Sequence, residues 1–382
     1  MNEQTGPHQP RRTGGRGRFL SGLGGLVAAL ALAACAGGGS TATGGSAPSS
    51  GGAPSASSGA AAPTSQAQPA QPAAGGAPRK IKVAHAFISA ETLPIWVAQD
   101  QGLFEKYGLQ VEALPLQTSA QVAPAMASGD VQVALTTGSG VIEFDLSGGD
   151  HVIVAGYSNQ MRYFLHARPG IERITDLRGK RIGITRRGGA IDVAAHIFLE
   201  RNGMAYGRDA AIVELGTAQN QVNGLVAGAV DAAIVALPTN LLAEREGFPQ
   251  IADTKQYNVA FPTNVVAVRR PYLDANRDVV LSYLKAHVEA VEMVRHDKEL
   301  AKRLLGKGTN TTDEDLLERS YQVYVSDLQD VPYPSPAAIQ GALDAAAEEK
   351  PEAKQAKPES FYDDSLVREL DQSGFIRAIG GH

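Results

Sequence analysis

The sequence predicts an α/β fold made of two successive units and a helical tail. Three observations carry this. From about Lys80, short β-type runs alternate with helical patterns, the alternation restarts near Pro169, and after Arg270 helical periodicity takes over. Strands alternating with helices imply largely parallel pairing, because parallel neighbours need a crossover element.

In the first unit, Ile81–Ala86 (IKVAHA) reads as a buried strand. A helix follows, with Thr92 as cap, Pro94 in the first turn and Gly102 as the stop. LQVEAL is a second strand, SAQVAPAMASG a helix ended by Gly129, and VQVAL a third strand. SGVIEFDLSGG is another helix and HVIVAG a fourth strand. In the second unit, ITDLRGKRIGI reads as a helical turn leading into a strand at Arg181–Ile184. GGAIDVAAHIFLERNGM is a helix with Ile191, Ala194, Ala195, Phe198 and Leu199 at helical spacing. AAIVEL and DAAIVA are strands around the helix AQNQVNGLVAGAV, and a helix starts at Pro238. Thr263–Arg270 is a strand, VVLSYLKAHVEAVEMVRHD the longest amphipathic run, and AAAEEKPEAKQAKPES a polar, solvated loop.

The N-terminus is different in kind. Arg11, Arg12, Arg16 and Arg18 precede the apolar run FLSGLGGLVAALALAAC, which ends at Cys35. A basic region, a short apolar stretch and small residues make a secretory signal, and the run is too short and too rich in Gly and Ala for a membrane span. LAAC resembles the bacterial lipobox, so residues 1–34 are expected to be a lipoprotein signal peptide cut before a lipidated Cys35. Arg11-Arg12 lack the Phe-Leu spacing of a twin-arginine signal. Residues 35–79 are then a lipidated cysteine and a Gly/Ala/Ser/Pro tether, a composition that cannot bury enough apolar surface to order itself. Cys35 is the only cysteine, which excludes an internal disulfide framework and a Cys-rich metal site. The net charge of −5 argues against a nucleic-acid partner.

Five stretches in order resemble one family. They are LPIWVAQDQGLFEKYGLQVE (Leu93–Glu112), ASGDVQVAL, ITDLRGKRIGI, GLVAGAVDAAIVALP and FYDDSLVRELDQSGFI. Together they resemble the type II periplasmic binding proteins of the sulfonate, taurine, nitrate and thiamine-precursor group, the substrate-capture subunits of ABC importers. Gln132 stands where that family has a second Asp, and Ala236-Leu237 where it often has an aromatic and an acidic residue. The resemblance implies two α/β lobes around a central cleft, joined by two crossing strands at RYFLHAR and NVVAVRR. Lobe 1 would be residues 80–168 with 263–382, and lobe 2 residues 169–262. It also implies a lipid-anchored monomer on the extracytoplasmic face of the cell membrane that captures a small solute and passes it to an ABC permease with its ATPase. No cofactor, metal or catalytic residue is implied. Trp96, Leu103, Phe104 and Tyr107 then read as core, and Arg178, Lys180 and Arg181 as a solvated face.

Ligands of open α/β sheets sit beyond the carboxyl ends of the strands, where helix N-termini present unpaired N–H groups. That selects loops. Ser89 and Thr92 follow the first strand, and Thr136, Thr137, Gly138 and Ser139 the third. Asn159 and Gln160 follow the fourth, Arg186, Arg187, Gly188 and Gly189 the first strand of the second unit, and Pro238 and Thr239 its third. Each has a bland alternative: the hydroxyls as helix caps, the glycines as ordinary turns, the arginines as solvent-facing charges or partners of a lobe-1 carboxylate. Arg186 and Arg187 favour an anion, sulfonate-like first. A pyrimidine or flavin would instead want stacking from Tyr157, Tyr163, Phe87 or Phe261. His85 reads as packed, and the other histidines show no metal-ligand spacing. Two other functions compete: an enzyme related to the thiamine-pyrimidine synthases, disfavoured by a body without cysteine, and a receptor that reports its closed form to a signalling partner.

Overall fold

A computed structural model describes residues 77–116, 119–347 and 349–380. The signal segment, Cys35 and nearly all of the tether lie outside the described residues. The first sheet has the order β2-β1-β3-β10-β4, from β1 (Arg79–His85), β2 (Leu109–Pro115), β3 (Val133–Thr136), β4 (His151–Gln160) and β10 (Ala260–Arg269). The second has the order β7-β6-β8-β5-β9, from β5 (Phe164–Ala167), β6 (Arg181–Ile184), β7 (Ala211–Glu214), β8 (Ala232–Val235) and β9 (Gln250–Asp253).

Both sheets follow one plan. β1 pairs parallel with β2 and β3, and β6 pairs parallel with β7 and β8. An antiparallel strand then joins each: β10 between β3 and β4, β5 between β8 and β9. In each case that strand has just arrived from the other sheet. β3, β5 and β8 are buried at every residue, so they carry unbroken apolar or small runs rather than alternation.

The helices are α1 (Leu93–Asp100), α2 (Leu103–Lys106), α3 (Ser119–Ala127), α4 (Gly138–Leu146), α5 (Ala190–Glu200), α6 (Ala218–Val226) and α7 (Thr239–Arg245). The C-terminal set is α8 (Arg270–Ala275), α9 (Arg277–His296), α10 (Lys298–Thr309), α11 (Glu314–Asp327), α12 (Pro336–Ala346), α13 (Ser365–Gln372) and α14 (Phe375–Gly380). α9 packs on α1, α2 and α14, and its buried stripe joins Phe104, Leu93 and Tyr283 in one core on the first sheet. α12 lies on β10 and α4 within a second core that also holds Phe198 of α5 and Ile184 of β6. Leu103 and Phe104 are buried as expected, with Trp96 and Tyr107 packed at the rim. Gly102 stops α1 with φ +64, a conformation side chains other than glycine disfavour.

Two details depart from the sequence reading. RYFLHAR begins on the first passage between sheets, at 161–163, and its Phe164–Ala167 then pairs wholly in the second sheet, with β8 and β9. NVVAVRR pairs only in the first sheet, and the second passage comes before it, at 254–259. Second, the polar stretch after α12 is not wholly solvated, because Ala346 and Ala353 are buried against the second core.

Candidate functional site

A cavity of about 280 Å³ lies where the loops at the strand ends of both sheets meet. Phe87–Glu91 follow β1, Thr137 follows β3, Ser158 closes β4, Arg162 and Tyr163 are on the crossing, and Ala236–Pro238 follow β8. Thr263 and Asn264 of β10 and a face of α10 and α11, including Leu317, Tyr324 and Asp327, complete the wall. Its volume is just below the usual range of small-molecule sites, suited to a small solute, and its walls are mostly apolar with a few convergent polar groups.

The polar groups form one constellation. The Arg162 guanidinium donates to Asp327 through Nε (3.1 Å) and again through Nη2, and its Nη1 lies 3.5 Å from Asp253. Its side chain is only 16% exposed, so this fork is strong and geometrically fixed. Across the cavity, the Ser89 hydroxyl donates to the Glu91 carboxylate. Glu91 is partly accessible as a residue, yet burial of its carboxyl pushes its pKa above the ordinary range; the Ser89 bond opposes this and the Asp327 charge adds to it. Burial also raises the Tyr163 phenol, with Glu91 contributing, and the Tyr324 phenol in the same way. Among the described residues, the Tyr324 hydroxyl and Asn264 Oδ1 are buried without a hydrogen-bond partner, groups that a bound molecule would satisfy.

The residues expected from the sequence divide. Ser89, Thr137 and Pro238 line the cavity. Thr92 is fully buried and donates to the Phe87 carbonyl (2.8 Å), shaping the loop instead of facing its contents. Thr136 is buried in β3. Gly138 packs on Pro262, whose ring would lie 2.6 Å from an added Cβ, so its smallness serves lobe packing. Ser139 donates to the Thr137 hydroxyl (3.2 Å), and Asn159 to the Tyr333 carbonyl (3.1 Å). Thr239 is buried as the first residue of α7.

The double arginine sits outside the cavity. Arg186 reaches Glu143 of α4 at 3.3 Å, an ion pair between the second sheet's loop and the first lobe. Arg187 lies 3.5 Å from Glu214 and over the Tyr206 ring (5.8 Å). Gly188 has φ +68 and an added Cβ would meet Glu349 at 2.6 Å, while its N–H donates to Asp192 (2.9 Å). Gly189 caps α5. The loop after β6 therefore meets α4 and the residues following α12, a neighbour the central cavity does not share. Of the aromatics considered for stacking, Phe87 and Tyr163 line the cavity, and Tyr157 and Phe261 are core. His85 is buried, its ring held at the Phe87 carbonyl (2.7 Å). Among the described residues, no group of three or more His, Cys, Asp and Glu could hold a metal.

Sequence reasoning passed over Glu91, Arg162, Asn264, Tyr324 and Asp327. Glu91 lies in the loop after the first strand, where the hydroxyls of Ser89 and Thr92 were weighed and the carboxylate was not, and Arg162 lies in the crossing stretch RYFLHAR. Asp327 ends α11, more than 160 residues from its partner Arg162, and no local pattern marks it.

Comparison with known proteins places this geometry. The family described as NMT1/THI5 like matches residues 89–301. The putative binding protein YtlA of Bacillus subtilis strain 168 is 23% identical over 251 residues, covering 64% of this chain and 75% of its own. The periplasmic aliphatic sulphonate binding protein SsuA of Escherichia coli superposes with a TM-score of 0.60 at 19% identity, over 73% of this chain and 91% of its own. The periplasmic nitrate-binding protein NrtA of Synechocystis PCC 6803 superposes with a TM-score of 0.60 at 16% identity, over 78% and 89%.

Proposed function

The chain belongs to the NMT1/THI5-like family and has the periplasmic-binding-protein fold, and we propose that it is an extracytoplasmic solute-binding lipoprotein serving an ABC importer. The observation that carries this reading is the cavity walled by the strand-end loops of both lobes. Solute binding shifts a hinge equilibrium toward the closed form, which docks on a membrane permease whose ATPase supplies the energy. The binding protein acts as a monomer and does no chemistry. Cys35 anchors it to the membrane, and the stretch between Cys35 and β1 gives it reach. Cys35→Ser is expected to move the protein from the membrane fraction to the soluble fraction of the producing cells; unchanged fractionation removes the anchor from this reading.

A sulfonate-like anion was the solute that Arg186 and Arg187 suggested. Neither lines the cavity, and the guanidinium that does, Arg162, is already engaged by Asp327 and Asp253. A sulfonate would have to displace Asp327 from Arg162.

The function is tested by native mass spectrometry of the purified chain, calorimetric titration with candidate solutes, and solution scattering with and without them. A retained or titrated solute that compacts the protein is expected. A bare protein that binds nothing and never compacts overturns the proposal.

A further inference from the structure

We propose that the cavity takes an organic cation: an ammonium group on a small apolar or aromatic body, held by Glu91 and Asp327 beside the rings of Tyr163 and Tyr324. The proposal rests on the solute-binding reading of this site and names its solute class.

The charge balance points that way. Glu91, Asp327 and the neighbouring Asp253 carry three formal negative charges against the single Arg162. Arg162 directs Nε, Nη2 and Nη1 at two aspartates, so little of its fork is left for an anion. Among the described residues, no lysine or arginine lies within ion-pair distance of Glu91; its one side-chain partner is the Ser89 hydroxyl. An uncompensated carboxylate at the wall of a largely apolar cavity costs free energy that an arriving cation offsets. One other unsatisfied group agrees: Asn264 Oδ1 can only accept a hydrogen bond, while the Tyr324 hydroxyl can donate or accept one. A sulfonate, which only accepts, would leave Asn264 Oδ1 unmatched, whereas an ammonium can donate to it. The aromatic faces of Phe87, Tyr163 and Tyr324 attract a cation through their ring quadrupoles, and Leu237 and Pro238 offer apolar wall to its body.

A proton linkage follows. Glu91 faces Ser89 on its own loop, Tyr163 on the crossing, and Tyr324 and Asp327 on α11, with Arg162 beyond. A bound cation favours ionised Glu91, so cation affinity falls as pH drops through the raised Glu91 titration. Anion affinity does not fall that way.

The experiment titrates the full chain with benzylamine and choline, with benzenesulfonate and ethanesulfonate, and with benzyl alcohol as the neutral control, across pH 4.5 to 8. The amines are expected to bind best, with affinity lost toward acid and reduced about 10- to 100-fold by Glu91→Gln. The pH series on the unaltered protein stands even where a variant fails to fold. Sulfonates or benzyl alcohol binding more tightly than the amines, or amine binding indifferent to both pH and Glu91→Gln, overturns the cation while leaving solute capture standing. No binding by any probe, with a bare chain in native mass spectrometry, overturns solute capture and the cation with it.

Discussion

At the scale of single residues, burial decides what the titratable groups do. His287 is 1% exposed on α9, its ring 4.4 Å from that of Tyr157 and its Nδ1 3.2 Å from the Tyr283 hydroxyl. Burial pulls its pKa down to about 3 from the ordinary 6.5. The folded state therefore keeps this ring neutral where the unfolded chain protonates it. Its contribution is fully present above pH 6.5 and is lost progressively as pH falls toward 3, on the order of 5 kcal/mol in all. Urea unfolding of His287→Gln is expected to show a shallower loss of stability between those pH values than the unaltered protein shows. Identical slopes would mean that other groups govern the acid limb. The sequence showed only that His287 has no metal-ligand spacing; its packing against Tyr157 and Tyr283 needs the fold. Glu91 was not legible in the same way: a carboxylate three residues before a helical proline looks like a first-turn acid, and only the approach of Asp327 from α11 makes it a wall of the cavity.

At the scale of elements, most strands and helices could be read in order because each parallel strand carries short apolar runs bounded by turn residues and the helices keep their stripes. β9 escaped: QIAD is short, half-buried and begins and ends on polar residues, and it becomes a strand only by pairing with β5. Pairs of elements also escaped, and these bear on closure. α7 of the second lobe meets α11 of the first through Arg319 to Glu244 (2.7 Å) and through Arg245 to Asp313, with Asp315 at 3.4 Å. Arg186 to Glu143 spans the lobes elsewhere. These groups are largely exposed, so each bond contributes little to folding. On the proposed function, their leverage would be on the open–closed equilibrium, because opening the lobes would break them. The double variant Arg245→Ala, Arg319→Ala is expected to keep its thermal midpoint within a few degrees, to show a larger radius of gyration in scattering, and to bind solute more weakly. High salt should reproduce part of the effect in the unaltered protein. An unchanged radius in both would show that the lobes are held by packing alone.

At the scale of the whole molecule, the two passages between sheets are bonded to each other, and on the proposed function they would act as one hinge. The Met161 N–H donates to the Val259 carbonyl (2.9 Å). The Thr254 hydroxyl donates to the Met161 carbonyl (2.9 Å) and accepts from the Tyr163 N–H (2.8 Å). Thr254 is fully buried, and Tyr163 and Arg162 on the same passage reach the cavity. A single side chain thus ties both crossings together next to the groups that would meet a solute. Thr254→Val keeps the shape and removes the hydroxyl, leaving the Tyr163 N–H and one demand of the Met161 carbonyl unmet. The expected cost is about 1 to 3 kcal/mol in stability. It should also loosen the placement of Arg162 and Tyr163, so solute affinity falls further than stability alone explains. Thr254→Ser, which restores the hydroxyl but removes the methyl, is the control: it is expected to recover affinity more completely than stability. Hydrogen exchange at the Tyr163 amide reads the coupling directly, rising in Thr254→Val and returning toward the original rate in Thr254→Ser. If both variants lose stability equally and neither changes affinity or exchange at Tyr163, Thr254 fills space in the hinge without linking its strands to the site.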